Sequence, residues 1–270
     1  MILILLIVGL IAGVLAGLFG VGGGILFTPA LFIVFSDAGV ARPVLWTIAS
    51  SLFCTFVSAF SSSVRQRQQD NIYWSQGIRV GIFGALGTFV GKQLSTSTYY
   101  SEQEFVIFFS LLLIFAAYTF ARRGRQRTEN AIETAYKKIK FRRGSLIGGA
   151  GGFLASLAGI GGGTAMVPIM NLYYRLPIKQ AVSISSLAIV TISLAGWVQL
   201  GSMDPAGGGL TAWTFGYVDF GAALPLVIGG LLGGFAGAWL NLKLNRRLLQ
   251  WGFALLALSV ALKLLSDVYM

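Results

Sequence analysis

One glycine-rich break is written twice in this chain. Gly20, Val21, Gly22, Gly23 and Gly24, with Pro29 following, have a second copy in Gly159, Ile160, Gly161, Gly162 and Gly163, with Pro168 at the matching place. Each copy follows a glycine-laced apolar run and precedes a shorter one. A second proline and a Ser-Ser-Leu triplet come next in both halves: Pro43 with Ser50, Ser51 and Leu52, then Pro177 with Ser185, Ser186 and Leu187. A repeat over such a distance restricts the fold to two related halves, each organised around a glycine break.

The flanking residues name the solvent. The 270 residues are 56% hydrophobic and only 11% charged, and the mean hydropathy is +0.78. A soluble domain carries roughly 25% charged residues, so too little charge is present to cover a surface in water. Apolar runs near spanning length recur throughout, which predicts an all-α integral membrane protein that crosses the bilayer many times. The net charge of +11 is densest between Arg122 and Arg143. That is the pattern of a cytoplasmic loop, and it gives no reason to invoke nucleic acid.

The chain has no histidine and a single cysteine, Cys54. An intramolecular disulfide and a Cys/His metal cluster are therefore excluded, and Cys54 reads as a small packing residue in an apolar helix. No cofactor motif is present. Gly91 and Lys92 evoke a phosphate-binding loop, but the preceding glycine is wrongly spaced and Gln93 replaces the required hydroxyl residue. The first residues, Met1 to Leu6, lack a basic region and lead into the first break without a clear cleavage site. They predict a retained helix instead of a signal peptide.

Five helical segments are expected in each half. In the first they are 2–19, a short segment 25–36 after the break, 43–63, 73–94 and 103–121, with a loop from Arg65 to Asp70. In the second they are 145–158, a short segment 164–174, 178–200, 218–241 and 247–266. Residues 25–36 would extend about 18 Å at about 1.5 Å per residue, against a hydrocarbon core of about 30 Å. Such short pieces suit broken or re-entrant helices. The division is 1–121 for the first repeat, 122–143 for a basic linker and 144–270 for the second repeat, forming one transport domain. Within the linker, Ala131, Ile132, Ala135, Tyr136 and Ile139 recur at helical spacing. They fit either an amphipathic surface helix or a solvated loop. Glycines at matching places, Gly84 to Gly91 and Gly230 to Gly237, read as close-packing helix faces. These faces also permit packing between protomers, so a homo-oligomer is compatible with the sequence.

An odd number of segments per half inverts the second copy relative to the first. In that arrangement only Arg42, Lys92 and Lys263 of the 20 basic residues lie outside. A parallel arrangement would move Arg175, Lys179, Lys243, Arg246 and Arg247 outside and bring Lys263 inside, leaving seven outside. The positive-inside rule favours the inverted one. It predicts a cytoplasmic linker at 122–143, both termini outside, and glycine breaks dipping toward the midplane from opposite faces. Arg79 and Lys92 sit near helix ends, where their long stems reach the interface.

A helix that begins inside the membrane aims free N–H groups and a positive dipole end at its surroundings. Glycines let that backbone approach a ligand closely. Gly22, Gly23 and Gly24 on one side, with Gly161, Gly162 and Gly163 on the other, thus form a candidate anion site. Hydroxyls of Thr47, Ser50, Ser51, Thr164, Ser185 and Ser186 are candidate donors around it. The bland alternative is that these glycines only pack helices and the serines bond their own helix backbones.

The paired glycine motifs, the prolines and the repeated Ser-Ser-Leu resemble the sulfite exporter TauE/SafE family over essentially the whole chain. The resemblance implies a transporter in the bacterial inner membrane that exports small sulfur-containing anions, such as sulfite or organosulfonates. By resemblance Gly20 to Gly24, Pro29, Gly159 to Gly163 and Pro168 take the family's motif places, and the Ser-Ser-Leu stretches its polar helix starts. Ser183 in the second half faces Ile48 in the first, so the two halves need not bind alike. The partners expected are a small anion and the lipid bilayer. No nucleotide motif supplies a motor, but an inside-negative potential favours anion exit by about 2.3 kcal/mol per charge per 100 mV. The nine acids all map to loops or helix ends, Asp219 nearest a span, so uniport or weak coupling is expected. Import of a related anion and an anion channel remain open alternatives. Intramembrane enzymes lose support for want of histidine, paired carboxylates or a metal motif.

Overall fold

The computed structural model describes residues 2–19, 23–68, 73–125, 139–241 and 246–269. The first half contains α1 (Ile2–Phe19), α2 (Gly24–Asp37), α3 (Pro43–Gln68), α4 (Trp74–Ser95) and α5 (Glu102–Arg125). The second contains α6 (Phe141–Ala158), α7 (Gly163–Pro168), α8 (Ile178–Gly201), α9 (Phe220–Asn241) and α10 (Arg246–Tyr269). A π-helical turn, Ile169–Tyr173, prolongs α7, and a two-stranded hairpin of β1 (Thr214–Phe215) and β2 (Val218–Asp219) precedes α9. Three described helices contain stretches long and apolar enough to cross a membrane: Pro43–Val64, Glu102–Arg122 and Gln180–Gly201.

Local chemistry accounts for most element ends. Pro43 opens α3, where its missing N–H would have had no helical partner. At the start of α5 Glu104 reaches back as in a capping box, its Oε2 accepting the Ser101 N–H at 2.9 Å and the Ser101 hydroxyl. Gly159 ends α6 in the left-handed conformation, and its N–H donates to Ala155 O at 2.8 Å.

Several boundaries differ from those expected. The loop assigned to Arg65–Asp70 is helical as far as Gln68, because Arg and Gln are good helix formers and positive charge suits a helix C-terminus. In the same way α5 runs to Arg125, into the span given to the linker. Helix α9 begins at Phe220 and not at 218, because Val218 and Asp219 pair with Phe215 and Thr214. The short helix expected at 164–174 is α-helical only to Pro168, then widens into the π turn, where Tyr174 N–H reaches Ile169 O at 3.3 Å. The amphipathic segment 131–139 lies outside the described residues except for Ile139.

Helix pairing follows a consistent exchange. Helix α1 packs on α9 and α4 packs on α6. Gly9 lies against Leu226 and Gly13 against Gly230, while Gly148 lies against Val80 and Gly152 against Gly84. Both pairs therefore run parallel. At each of these glycines an added Cβ would collide with the partner's backbone, so the seams require the smallest residue. Helices α3 and α8 instead cross antiparallel: Leu52 meets Gly196, whereas Thr55, later on α3, borders Gly161 together with Ser193, earlier on α8. Helices α5 and α10 are also antiparallel. Ser110 Oγ donates to Ala261 O at 3.4 Å, and the Phe120 ring lies 4.3 Å from that of Phe253.

Candidate functional site

The two glycine breaks meet each other. A Cβ on Gly24, the first residue of α2, would lie 2.7 Å from the carbonyl oxygen of Ile160 and 2.8 Å from Thr55 Oγ1. Across the junction, a Cβ on Gly159 would lie 3.1 Å from Thr28 Oγ1 and 3.3 Å from the Cβ of Ser51. The meeting point falls near the midpoints of α3 and α8, since Thr55 is halfway along one and Ile189 halfway along the other.

The second break is a left-handed staircase. Gly159, Gly161 and Gly162 have φ of 72°, 72° and 76°, values that cost a non-glycine residue about 1–2 kcal/mol each. Gly162 also rests on the backbone of Gly151, so α7 folds back along α6. Gly163 and Thr164 open α7 and are buried. In the first break Gly23 caps α2 with an ordinary right-handed φ of −70°, and its carbonyl accepts from Leu26 and Phe27 at 3.0 Å. Gly22 lies outside the described residues.

The hydroxyls divide into two groups. Ser51 is fully engaged: its Oγ is 2.7 Å from Thr28 Oγ1 and donates to Gly159 O at 3.0 Å. It therefore ties α2, α3 and the second break together. Ser50 accepts the N–H of Asp219 at 3.0 Å and anchors the start of α9. Ser183 performs the matching task in the other half, accepting the N–H of Tyr73 at 3.2 Å beside the start of α4. Ser186 is half-buried and donates to Val182 O on its own helix at 2.9 Å. It is Ser185, one residue earlier, whose Oγ lies 3.3 Å from where a Cβ on Gly163 would sit.

The second group has no hydrogen-bond partner. Thr47, Thr55, Ser185 and Ser193 are at most 3% exposed, and their hydroxyls are unpaired. A buried, unsatisfied polar group costs about 1–3 kcal/mol, and such groups call for an explanation. Thr47, Ser51 and Thr55 recur every fourth residue on one face of α3. Ser185, Ser193 and Trp197 share a face of α8, and the indole N–H of Trp197 is likewise buried and unpaired. Thr55 and Ser193 come together beside Gly161, where the helices cross.

Thr28, Thr55, Ser193 and Trp197 were not among the residues expected from sequence. The four-residue spacing from Gly24 to Thr28 and from Ser51 to Thr55 is the signal that could have found two of them. Asp219, the acid nearest a span, is buried at the N-terminus of α9. Its carboxylate accepts the N–H of Ala222 at 3.0 Å and both the N–H and hydroxyl of Thr211 at 2.8 and 2.6 Å. That is a helix cap with its lone pairs occupied. Cys54 is buried against Ala223, as expected of a packing residue. Arg79 is exposed, its guanidinium 5.6 Å from the centre of the Phe141 ring.

Comparison with known proteins gives these features a family. The model of the sulfite exporter TauE/SafE family matches residues 5–264. The chain belongs to that family. It is a family of multi-pass membrane transporters, not of enzymes. Among its relatives, a probable membrane transporter protein of Methanocaldococcus jannaschii is 29% identical over 92% of this chain and 89% of its own length. The probable membrane transporter protein YunE of Bacillus subtilis is 28% identical over 90% of each chain. A probable membrane transporter protein of Haemophilus influenzae is 28% identical over 97% of each. No solved structure matches the chain. Within the TauE/SafE family, then, the glycine breaks and the crossing of α3 with α8 belong to a transporter.

Proposed function

We propose that this protein is a secondary transporter that exports small sulfur-containing anions, sulfite or an organosulfonate, by alternating access around the junction of the two breaks. The observation that carries the reading is the convergence itself. Gly24, from the first break, lies against the Ile160 carbonyl of the second, beside Thr55 and midway along both crossing helices. An anion there would find neutral donors: N–H groups at the start of α2 and the hydroxyls of Thr47, Thr55, Ser185 and Ser193. Gly22 to Gly24, Thr47, Ser51, Gly161 to Gly163, Thr164 and Ser185 form the proposed binding region. Ser50 and Ser186 contribute by fixing helices.

Two inverted repeats are part of the same proposal. A two-fold axis running across the helices would exchange α1 with α6 and α4 with α9, preserving the parallel α1/α9 and α4/α6 pairs. It would carry α3 onto α8 and α5 onto α10, making each of those pairs antiparallel. The helix directions described above agree with both requirements, and this is the symmetry on which alternating access is built in other carriers. The positive-inside count then puts the linker 122–143 in the cytoplasm of a bacterial inner membrane and both termini outside. Export follows the membrane potential and requires no nucleotide.

The test is counterflow of radiolabelled sulfite in proteoliposomes, with Ser185→Ala beside wild type and Ser145→Ala as a control at the exposed start of α6. Saturable exchange that Ser185→Ala lowers by about tenfold, a loss near 1.4 kcal/mol, is the expected outcome. Electrical conductance without saturation would point to a channel. Absence of exchange by folded protein with sulfite, thiosulfate and short sulfonates would remove the carrier reading.

A further inference from the structure

We infer that the crossing of α3 with α8 is the substrate path and that it passes singly charged anions while rejecting doubly charged ones. This inference rests on the anion-carrier reading and adds the charge state of the cargo. Thr47 and Thr55 on α3, and Ser185, Ser193 and the Trp197 indole N–H on α8, are buried and unpaired. Thr55 and Ser193 both border Gly161, and Ser185 borders Gly163, so these donors line the junction of the breaks. All are neutral. Among the residues whose side-chain burial is described, no Lys or Arg is buried.

The charge of the cargo decides what such a lining can hold. Hydroxyl and indole donors replace part of the hydration shell of a small oxyanion without offering a counter-charge. The cost of moving an ion out of water grows as the square of its charge, so a dianion requires roughly four times the compensation of a monoanion. Neutral donors that suffice for the first fall far short for the second. Bisulfite and alkanesulfonates carry one charge and fit. Sulfite in its fully ionised form, and sulfate, carry two and do not. A path of this kind separates a sulfonate from sulfate with no contact to the rest of the molecule.

The experiment is proteoliposome counterflow across roughly two pH units spanning the second ionisation of sulfite. The labelled probes are sulfite, methanesulfonate and sulfate. Methanesulfonate keeps one charge throughout and should exchange at a pH-independent rate. Sulfite exchange should follow the bisulfite fraction and fall about tenfold per pH unit above its ionisation, and sulfate should neither exchange nor compete. A flat sulfite profile, or sulfate exchanged as fast as methanesulfonate, overturns the charge-state inference and leaves the carrier intact. No exchange of any probe by folded protein overturns the carrier reading beneath it. Thr55→Val and Ser193→Ala, each verified as monodisperse, locate the path: about a tenfold loss of exchange with an unchanged pH profile is expected. Wild-type rates in both variants would place the path elsewhere.

Discussion

The two glycine breaks have nearly the same residues, and at the matched pair Gly23 and Gly162, the last residue before each short helix, the backbones differ. The first enters a 14-residue helix through Gly23, whose right-handed φ of −70° any residue can adopt. The second turns through three left-handed glycines into a helix of only six residues that relaxes into a π turn. Matched glycines thus enter their helices through different backbone conformations. Their surroundings differ too: Gly162 lies against the Gly151 backbone, while Gly23 lies against the ring of Phe27.

Substitutions should separate these two settings. The largest effect is expected at Gly162→Ala, which combines a φ of 76° with a backbone collision at Gly151. Left-handed strain of about 1–2 kcal/mol and a forced displacement of α7 from α6 should leave little monodisperse protein after detergent extraction. Gly23→Ala meets the Phe27 ring first, a side chain in place of a backbone, at a permitted φ. It should be extracted at near wild-type yield, with melting lowered by a few degrees. Equal damage from both substitutions would erase the distinction drawn between the breaks.

Next comes a contrast between the two kinds of hydroxyl. Ser51→Ala removes both the contact with Thr28 and the bond to Gly159 O. It should lower stability by about 1–3 kcal/mol, because a buried carbonyl loses its donor. Ser185→Ala removes a hydroxyl that has no partner. Its thermal stability should be unchanged or slightly raised while transport falls. Matched losses of stability in the two variants would mean that Ser185 is bonded within the fold and is not reserved for a ligand.

The smallest effect on transport is expected at Asp219→Asn. The amide keeps one accepting oxygen but turns its NH2 toward the Thr211 N–H that Asp219 Oδ2 accepts, so stability should fall by about 1–3 kcal/mol, while sulfite exchange should persist in the folded variant. A proton flux that accompanies transport and disappears in this variant would instead make Asp219 a coupling group.

Much of this architecture could be read from the sequence, and what could not has a physical cause. Apolar runs and glycines set the helices and the breaks, because both reflect local backbone chemistry and the demands of the bilayer. The hairpin at Thr214–Asp219 was not expected: its strands are two residues each, too short to show an alternating pattern. The π turn at Ile169–Tyr173 leaves no periodic trace. In the site, Thr28 and Thr55 escaped a reading by repeat because neither has a hydroxyl in the matching place. Thr28 occupies the place of Val167 in the other half, and Thr55 that of Val190. Ser186 fits the repeated triplet, yet helical phase turns it away from the junction that Ser185 faces.

Substrate protection at Ser185 tests the central claim most directly. With Cys54 replaced by alanine, a Ser185→Cys variant in proteoliposomes is treated with iodoacetamide in the presence and absence of methanesulfonate. If the junction of the breaks is the anion site, methanesulfonate should slow labelling in a saturable way, at concentrations matching those that drive exchange. Labelling that proceeds at the same rate while methanesulfonate is being exchanged would contradict the account and place the anion elsewhere in the protein.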